Sequence, residues 1–122
     1  NHPGNQVASM VGLNKAGEAV SEAGRDVAMQ IAAMNPVALD KDSVPTNVIE
    51  KEIEIGMDIA RQEGKPEELL EKIAQGKLNK FFKENTLLSQ AFIKDNKKSI
   101  EQMLKEIDGG LTVTSFKRYG LN

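Results

Sequence analysis

The sequence predicts an α+β fold of two layers, a small sheet covered by helices, and three observations lead there. Gln6–Leu13 and Leu111–Tyr119 alternate with the period of two that marks strands. Between them, four stretches repeat apolar residues at steps of three and four, the spacing of one helical face. The breaks between those stretches fall on Gly, Pro, Asn and Asp, the residues that stop helices and make turns. At 122 residues the chain suits one domain, and folding at about this length buries roughly two thirds of the unfolded surface.

The first strand places Val7, Ser9, Val11 and Leu13 on one face and Ala8, Met10 and Gly12 on the other. Asn14–Gly17 is a turn. Ser21–Met34 is a helix, because Ala23, Val27, Ile31 and Met34 recur at helical steps and Asn35-Pro36 stops it. Ala38–Pro45 is a connector, and Pro45 suits a first helical turn, where a missing N–H costs nothing. Thr46–Glu63 is a long helix with two apolar stripes, Ile49, Ile53, Met57 and Ala60 on one and Val48, Ile55 and Ile59 on the other. Such a helix is expected to be largely enclosed or to touch two neighbours. Gly64 ends it.

Pro66 opens the next helix, with Glu67 and Glu68 where carboxylates suit the helix dipole. Its apolar face comprises Leu69, Leu70, Ile73, Ala74, Leu78 and Phe81, and Gly76 is expected to interrupt it. Glu84–Lys98 is a polar connector, but Leu87, Leu88, Phe92 and Ile93 are too apolar for a free loop, so part of it should pack. Ser99 and Gln102 have the spacing of a capping box ahead of Ile100, Met103, Leu104 and Ile107. Asp108-Gly109-Gly110 breaks that helix before the closing strand. Pro66–Ile107 thus reads as two helices joined by a long turn, a hairpin with little core of its own that should find a partner. Strand, helices, strand is compatible with a parallel crossover and with an antiparallel pair.

Composition excludes several functions. The net charge of −2 lacks the basic excess of a nucleic-acid binder. No apolar run approaches the roughly 20 residues of a membrane span, and the first residues have neither the charged start nor the apolar core of a signal peptide. Charged residues at 28% argue for solubility. The absence of Cys removes disulfides, thiolate catalysis and cysteine–metal sites, and fits a reducing cytoplasm. The abrupt start at Asn-His-Pro-Gly reads as a piece of a longer protein.

Chemistry is sparse. His2, the single histidine, has no nucleophile–base arrangement around it and reads by spacing as an exposed tail residue. Gly12–Gly17 follows a strand and precedes a helix but lacks the spacing of a dinucleotide or phosphate loop. Glu50, Glu52, Glu54 and Asp58 share their helix with Lys51 and Arg61, the pattern of a solvated face rather than a metal site. No catalytic residue, metal site or cofactor is expected. By what they lack, the residues leave binding to another protein as the expected activity.

Three segments carry a family resemblance. DVAMQIAAMNP, Asp26 to Pro36, resembles the alanine-rich, proline-terminated helix of bacterial translation elongation factor Ts. VIEKEIEIGMDIARQEGKP, Val48 to Pro66, resembles that family's next long helix, with its Glu-Lys-Glu start, Asp-Ile-Ala centre and Gly-Lys-Pro exit. EKIAQGKLNKFFKENTLLSQAFIKDNKKSIEQMLKE, Glu71 to Glu106, is similar to the family's hairpin module and its Leu-Leu-Ser-Gln-Ala-Phe turn. The resemblance runs from His2 to Tyr119.

The resemblance implies a guanine nucleotide exchange factor that binds the GTPase elongation factor Tu in its GDP form and loosens its magnesium and phosphate contacts during translation elongation. It implies an antiparallel sheet with an inserted helical hairpin, and residues 1–122 as the C-terminal half of the family's core, its dimerisation domain, with the hairpin at about 66–107. His2 and Gly4 match a His-Gly-rich turn that contacts elongation factor Tu, with Pro3 a departure from it. Leu70, Leu78, Phe81, Phe82, Leu88 and Phe92 become candidates for hairpin packing or a homodimer contact. The family's Thr-Asp-Phe-Val motif, which wedges near the magnesium site, does not occur in this chain. A helical dimerisation or adaptor module with another protein partner is the alternative; no nucleic acid and no membrane are expected as partners.

Overall fold

The computed structural model describes residues 6–121. The chain runs β1 (Gln6–Leu13), α1 (Glu18–Met34), a 3-10 turn (Lys41–Ser43), α2 (Thr46–Gln62), α3 (Glu67–Asn85), a second 3-10 turn (Leu87–Ser89), β2 (Ala91–Phe92), β3 (Asp95–Ser99), α4 (Ile100–Ile107) and β4 (Val113–Leu121). It is the expected α+β architecture of helices on small antiparallel sheets.

The strands at the two ends of the chain meet. β1 and β4 pair antiparallel from Gln6 opposite Leu121 to Leu13 opposite Val113, which settles the choice between a parallel crossover and an antiparallel pair. An isolated two-stranded ribbon is marginal in water; this one lies on α1. Val11, Leu13 and Phe116 pack on the main core, Ser9 Oγ donates to the Ala28 carbonyl, and Arg118 donates to the Ala32 carbonyl. The turn that closes the ribbon is tied by Asn14, whose amide donates to Gly110 O while its oxygen accepts from Thr112 N–H.

The main core joins α1, α4, the second 3-10 turn and the ribbon. Ala23, Val27 and Ile31 of α1 meet Ile100, Met103 and Leu104 of α4, with Leu87, Leu88, Phe92, Leu111 and Val113 between them. Each fully buried aliphatic side chain contributes roughly 1.5–3 kcal/mol. α4 starts where Ser99 Oγ accepts the Gln102 N–H at 3.1 Å, half of the expected box. α1 begins three residues earlier than the periodicity indicated, because Ser21 N–H already reaches Gly17 O. It ends at Asn35, held in the left-handed region at φ 46° with its N–H on Ile31 O.

The helical hairpin is displaced from its expected place. The helices that pack along each other are α2 and α3, residues 46–85, not the two helices of 66–107. The four-residue connection Glu63–Pro66 forces them antiparallel, with Gly64 at φ +80° in the conformation a helix exit favours. The connector Glu84–Lys98 is not a long turn inside the hairpin: α3 takes its first residues, to Asn85. The rest folds into the 3-10 turn and the β2–β3 ribbon and enters the main core, taking α4 with it. α3 also runs unbroken through Gly76. Burial of Leu70, Ala74 and Leu78 on its inner face outweighs a glycine cost of about 1 kcal/mol.

The hairpin projects from a closed base. Val37 N–H bonds Asn85 O, Leu87 N–H bonds Ala38 O, and Leu88 N–H bonds Leu39 O, so the strands entering and leaving it are zipped together. Below this base sits a satisfied polar pair. Buried Gln30 donates to Gln90 Oε1 and Ala91 O and accepts from Ile93 N–H, while Gln90 donates to Glu84 O. No buried side-chain polar atom among the described residues lacks a partner.

Candidate functional site

His2 and Gly4 lie outside the described residues. Among the described residues, no group of three or more His, Asp or Glu side chains could hold a metal ion, and no helix is long and apolar enough to cross a membrane. The informative features are surfaces, and three stand out.

The first is one side of the α2–α3 hairpin. Its inner seam uses small residues: Gly56 and Ala60 of α2 and Ala74 of α3 are buried, and Gly56 faces Ala74. A Cβ on Gly56 would lie 3.2 Å from Ala74 Cα, so glycine sets how closely the helices approach. Stepping at about 100° per residue, Ile55 and Ile59 lie about a quarter to a third of a turn from the Gly56–Ala60 line. Leu69, Ile73 and Gly76 are rotated from the Leu70–Ala74–Leu78 line in the same sense. Antiparallel helices turn equal rotations toward the same side, so both rows share one face. Ile55, Ile59 and Leu69 are 39–43% exposed and Ile73 is half-buried. In the second apolar stripe of α2, Ile55 and Ile59 are therefore exposed and Val48 half-buried among the described residues, so that stripe is not enclosed. Gly76 has open space around it, with no atom within 4 Å of a Cβ placed there.

The expected contact residues divide between interior and surface. Leu70 and Leu78 are buried inside the hairpin, and Leu88 and Phe92 are buried in or against the main core. These four pack within the chain. Phe81 and Phe82 are half-buried and meet edge to face, ring centroids 6.2 Å apart. Ile55, Ile59 and Gly76 were not singled out as contact residues. The signal was present in the sequence, as an apolar stripe and a mid-helix glycine, but each also fits an enclosed helix.

The second surface is the outer side of the β1–β4 ribbon. Residues facing away from α1 include Met10, Gly12, Ser115, Lys117 and Tyr119, and Met10 is 64% exposed. Each strand pairs only with the other among the described strands, so each keeps an unpaired edge.

The third is a groove of roughly 440 Å3 between the ends of α1 and α3, lined by Met34, Lys80, Lys83, Glu84, Gln90 and Ala91. It has no nucleophile–base pair. Perturbed titrations lie elsewhere. The Glu106 hydrogen bond holds the Lys98 ammonium above the ordinary lysine value. Asp108 is held below the ordinary carboxylate value by the Gly110 N–H and then by Lys15, at the turn that ties β1 to β4. Both are surface links that fasten the fold; Asp108 lies at that turn, and Lys98 borders a shallow depression with Ser89, Asn96 and Lys97.

Comparisons with known proteins bear on these surfaces. The family model described as "Elongation factor TS" matches residues 1–122. The chain is 60% identical over 122 residues to the elongation factor Ts of Cytophaga hutchinsonii, covering 99% of this chain and 44% of the relative. It is 53% identical over 120 residues to that of Christiangramia forsetii, covering 98% and 44%. To the elongation factor Ts of Corynebacterium glutamicum it is 46% identical over 113 residues, covering 93% and 40%. The chain thus spans under half the length of these curated relatives.

Proposed function

This chain belongs to the elongation factor Ts family, and on that premise we propose that it is the C-terminal, partner-gripping part of a guanine nucleotide exchange factor for elongation factor Tu. The observation that carries the reading is the family match along the whole of residues 1–122 at 46–60% identity to proteins of that name. In this reading the chain acts through surfaces and performs no covalent step. His2 and Gly4 contact elongation factor Tu at a distance from its nucleotide. The Thr-Asp-Phe-Val wedge is absent from the chain, so it binds the GTPase without expelling GDP efficiently.

A second element of the reading is self-association through the hairpin. An apolar face of Ile55, Ile59, Leu69 and Ile73 beside the open notch at Gly76 suits a helix pair from a second copy, packed about a two-fold axis. The unpaired edges of β1 and β4 offer a second route, by strand addition.

Two measurements test this. Calorimetric titration of the 122-residue chain into elongation factor Tu·GDP is expected to show binding that His2→Ala weakens, while stopped-flow release of labelled GDP stays near the spontaneous rate. No binding would overturn the first part, and release at the rate of the full-length factor would overturn the second. Light scattering is expected to show a dimer at high concentration that Ile59→Glu dissociates. A strict monomer would remove the dimerisation role and leave the grip on elongation factor Tu standing.

A further inference from the structure

Residues 77–98 carry six lysines, at 77, 80, 83, 94, 97 and 98, against two carboxylates, Glu84 and Asp95. That is a surplus of four positive charges in a chain whose net charge is −2. The fold gathers this segment into one region, because the end of α3, the second 3-10 turn and the β2–β3 ribbon follow each other around the base of the hairpin.

Two depressions meet there. The groove lined by Met34, Lys80, Lys83, Glu84, Gln90 and Ala91 shares Lys83 and Ala91 with a smaller one of roughly 180 Å3 that includes Ser89, Asn96 and Lys97. Not all of the charge is free. Lys94 pairs with Asp26 at 3.0 Å, and Lys98 with Glu106 and Asp95. Lys80, Lys83 and Lys97 have no carboxylate within ion-pair distance among the described residues. Glu84 is the one acid on the walls. The buried Gln90 side chain donates to the Glu84 carbonyl at 3.0 Å, which fixes the floor of the groove. Met34, 46% exposed, and Ala91 supply an apolar strip between the lysines.

We propose that this groove seats an extended acidic segment of a partner protein, with an apolar side chain against Met34 and Ala91 and flanking carboxylates on Lys80, Lys83 and Lys97. The walls offer no aromatic ring for a base to stack on, which favours a peptide over a nucleic acid. The inference stands apart from the family assignment, since it uses only the lysines and the groove.

The test uses a fluorescein-labelled pentapeptide with leucine between two pairs of glutamates, its glutamine analogue, and a single-stranded oligouridylate, each titrated into the 122-residue chain. The acidic peptide is expected to bind more tightly than its analogue and to lose affinity as salt shortens the screening length below about 10 Å. In NMR spectra it should shift the Met34 methyl and the Gln90 and Ala91 amides. Lys80→Glu with Lys83→Glu is expected to weaken binding about tenfold, and Met34→Gln severalfold. All three positions lie on the surface, and a thermal melt of each variant separates lost binding from lost folding. Lys97→Glu, on the exposed β3, gives an independent charge reversal should the double variant unfold. Equal binding of the glutamine peptide, shifts away from the groove, no effect of charge reversal, tighter binding of oligouridylate, or no binding at all would each overturn the proposal.

Discussion

Two glycines on the same hairpin should respond differently to the same substitution, one stabilised by alanine and the other not. Gly56 sits on the seam between α2 and α3, where a Cβ would lie 3.2 Å from Ala74 Cα and 3.3 Å from its Cβ. Gly76 sits on the outer side of α3 with nothing within 4 Å. Alanine in a helix interior is favoured over glycine by about 0.5–1 kcal/mol. Gly76→Ala should realise that gain and raise Tm by roughly 2–4 °C for a chain of this size. Gly56→Ala earns the same propensity, but the helix axes must part by a few tenths of an ångström, which thins the packing of Ala60, Leu70 and Ala74 together. The gain is expected to vanish. Gly56→Leu cannot be seated on the seam and should cost about 1–3 kcal/mol through overpacking. Urea and thermal unfolding followed by circular dichroism, at concentrations low enough to hold the chain monomeric, reads all three. A Gly56→Leu variant at least as stable as the parent would refute the close crossing. A destabilised Gly76→Ala would refute the open face.

Three further outcomes follow from individual side chains. Gln30→Leu removes the partner of the buried Gln90 Oε1 and of two part-buried backbone groups, Ala91 O and the Ile93 N–H. At about 1–3 kcal/mol for the one buried, unmatched group, the unfolding free energy in urea should fall by that amount, more than for an exposed glutamine. Ser99→Ala deletes the cap on α4 and should cost about 1 kcal/mol, read as a lower urea midpoint at unchanged slope. Asp108 titrates below its ordinary value in the fold, so its contribution is present above the unfolded pKa near 3.8 and fades as pH falls through the lower folded value. Asp108→Asn should therefore lower Tm at neutral pH and flatten the acid side of the Tm–pH curve below about pH 4, while a curve of unchanged shape would discount the Gly110 and Lys15 contacts.

What could be read in advance depended on how local the signal was. Asn35-Pro36 ends α1 and Pro66 starts α3 through backbone sterics that act within a turn, and those ends appear where expected. Ser99 caps α4 through one hydrogen bond to a residue three positions on. Leu87, Leu88 and Phe92 were legible as buried because a polar connector has no other use for them. Gly76 misled because propensity is worth about 1 kcal/mol, less than the burial of one leucine on the opposite side of the helix. The candidate site was less legible than the fold. An apolar stripe such as Ile55–Ile59 has the same spacing whether a neighbour covers it or solvent does.

The α+β class, the strands at both ends, most helix boundaries and the family were determined by the sequence alone, because each rests on residues within a few positions of one another or on an ordered motif. Which helices pair was not. Pro66–Ile107 has the pattern of a hairpin, and so does Thr46–Asn85. The choice is made by Gly56 meeting Ala74 across the seam and by the base hydrogen bonds of Val37–Leu39 to Asn85–Leu88. It is made equally by α4, which finds its apolar partners on α1 and so leaves α3 to α2. Periodicity states that a face is apolar, and only the three-dimensional competition for that face decides what covers it.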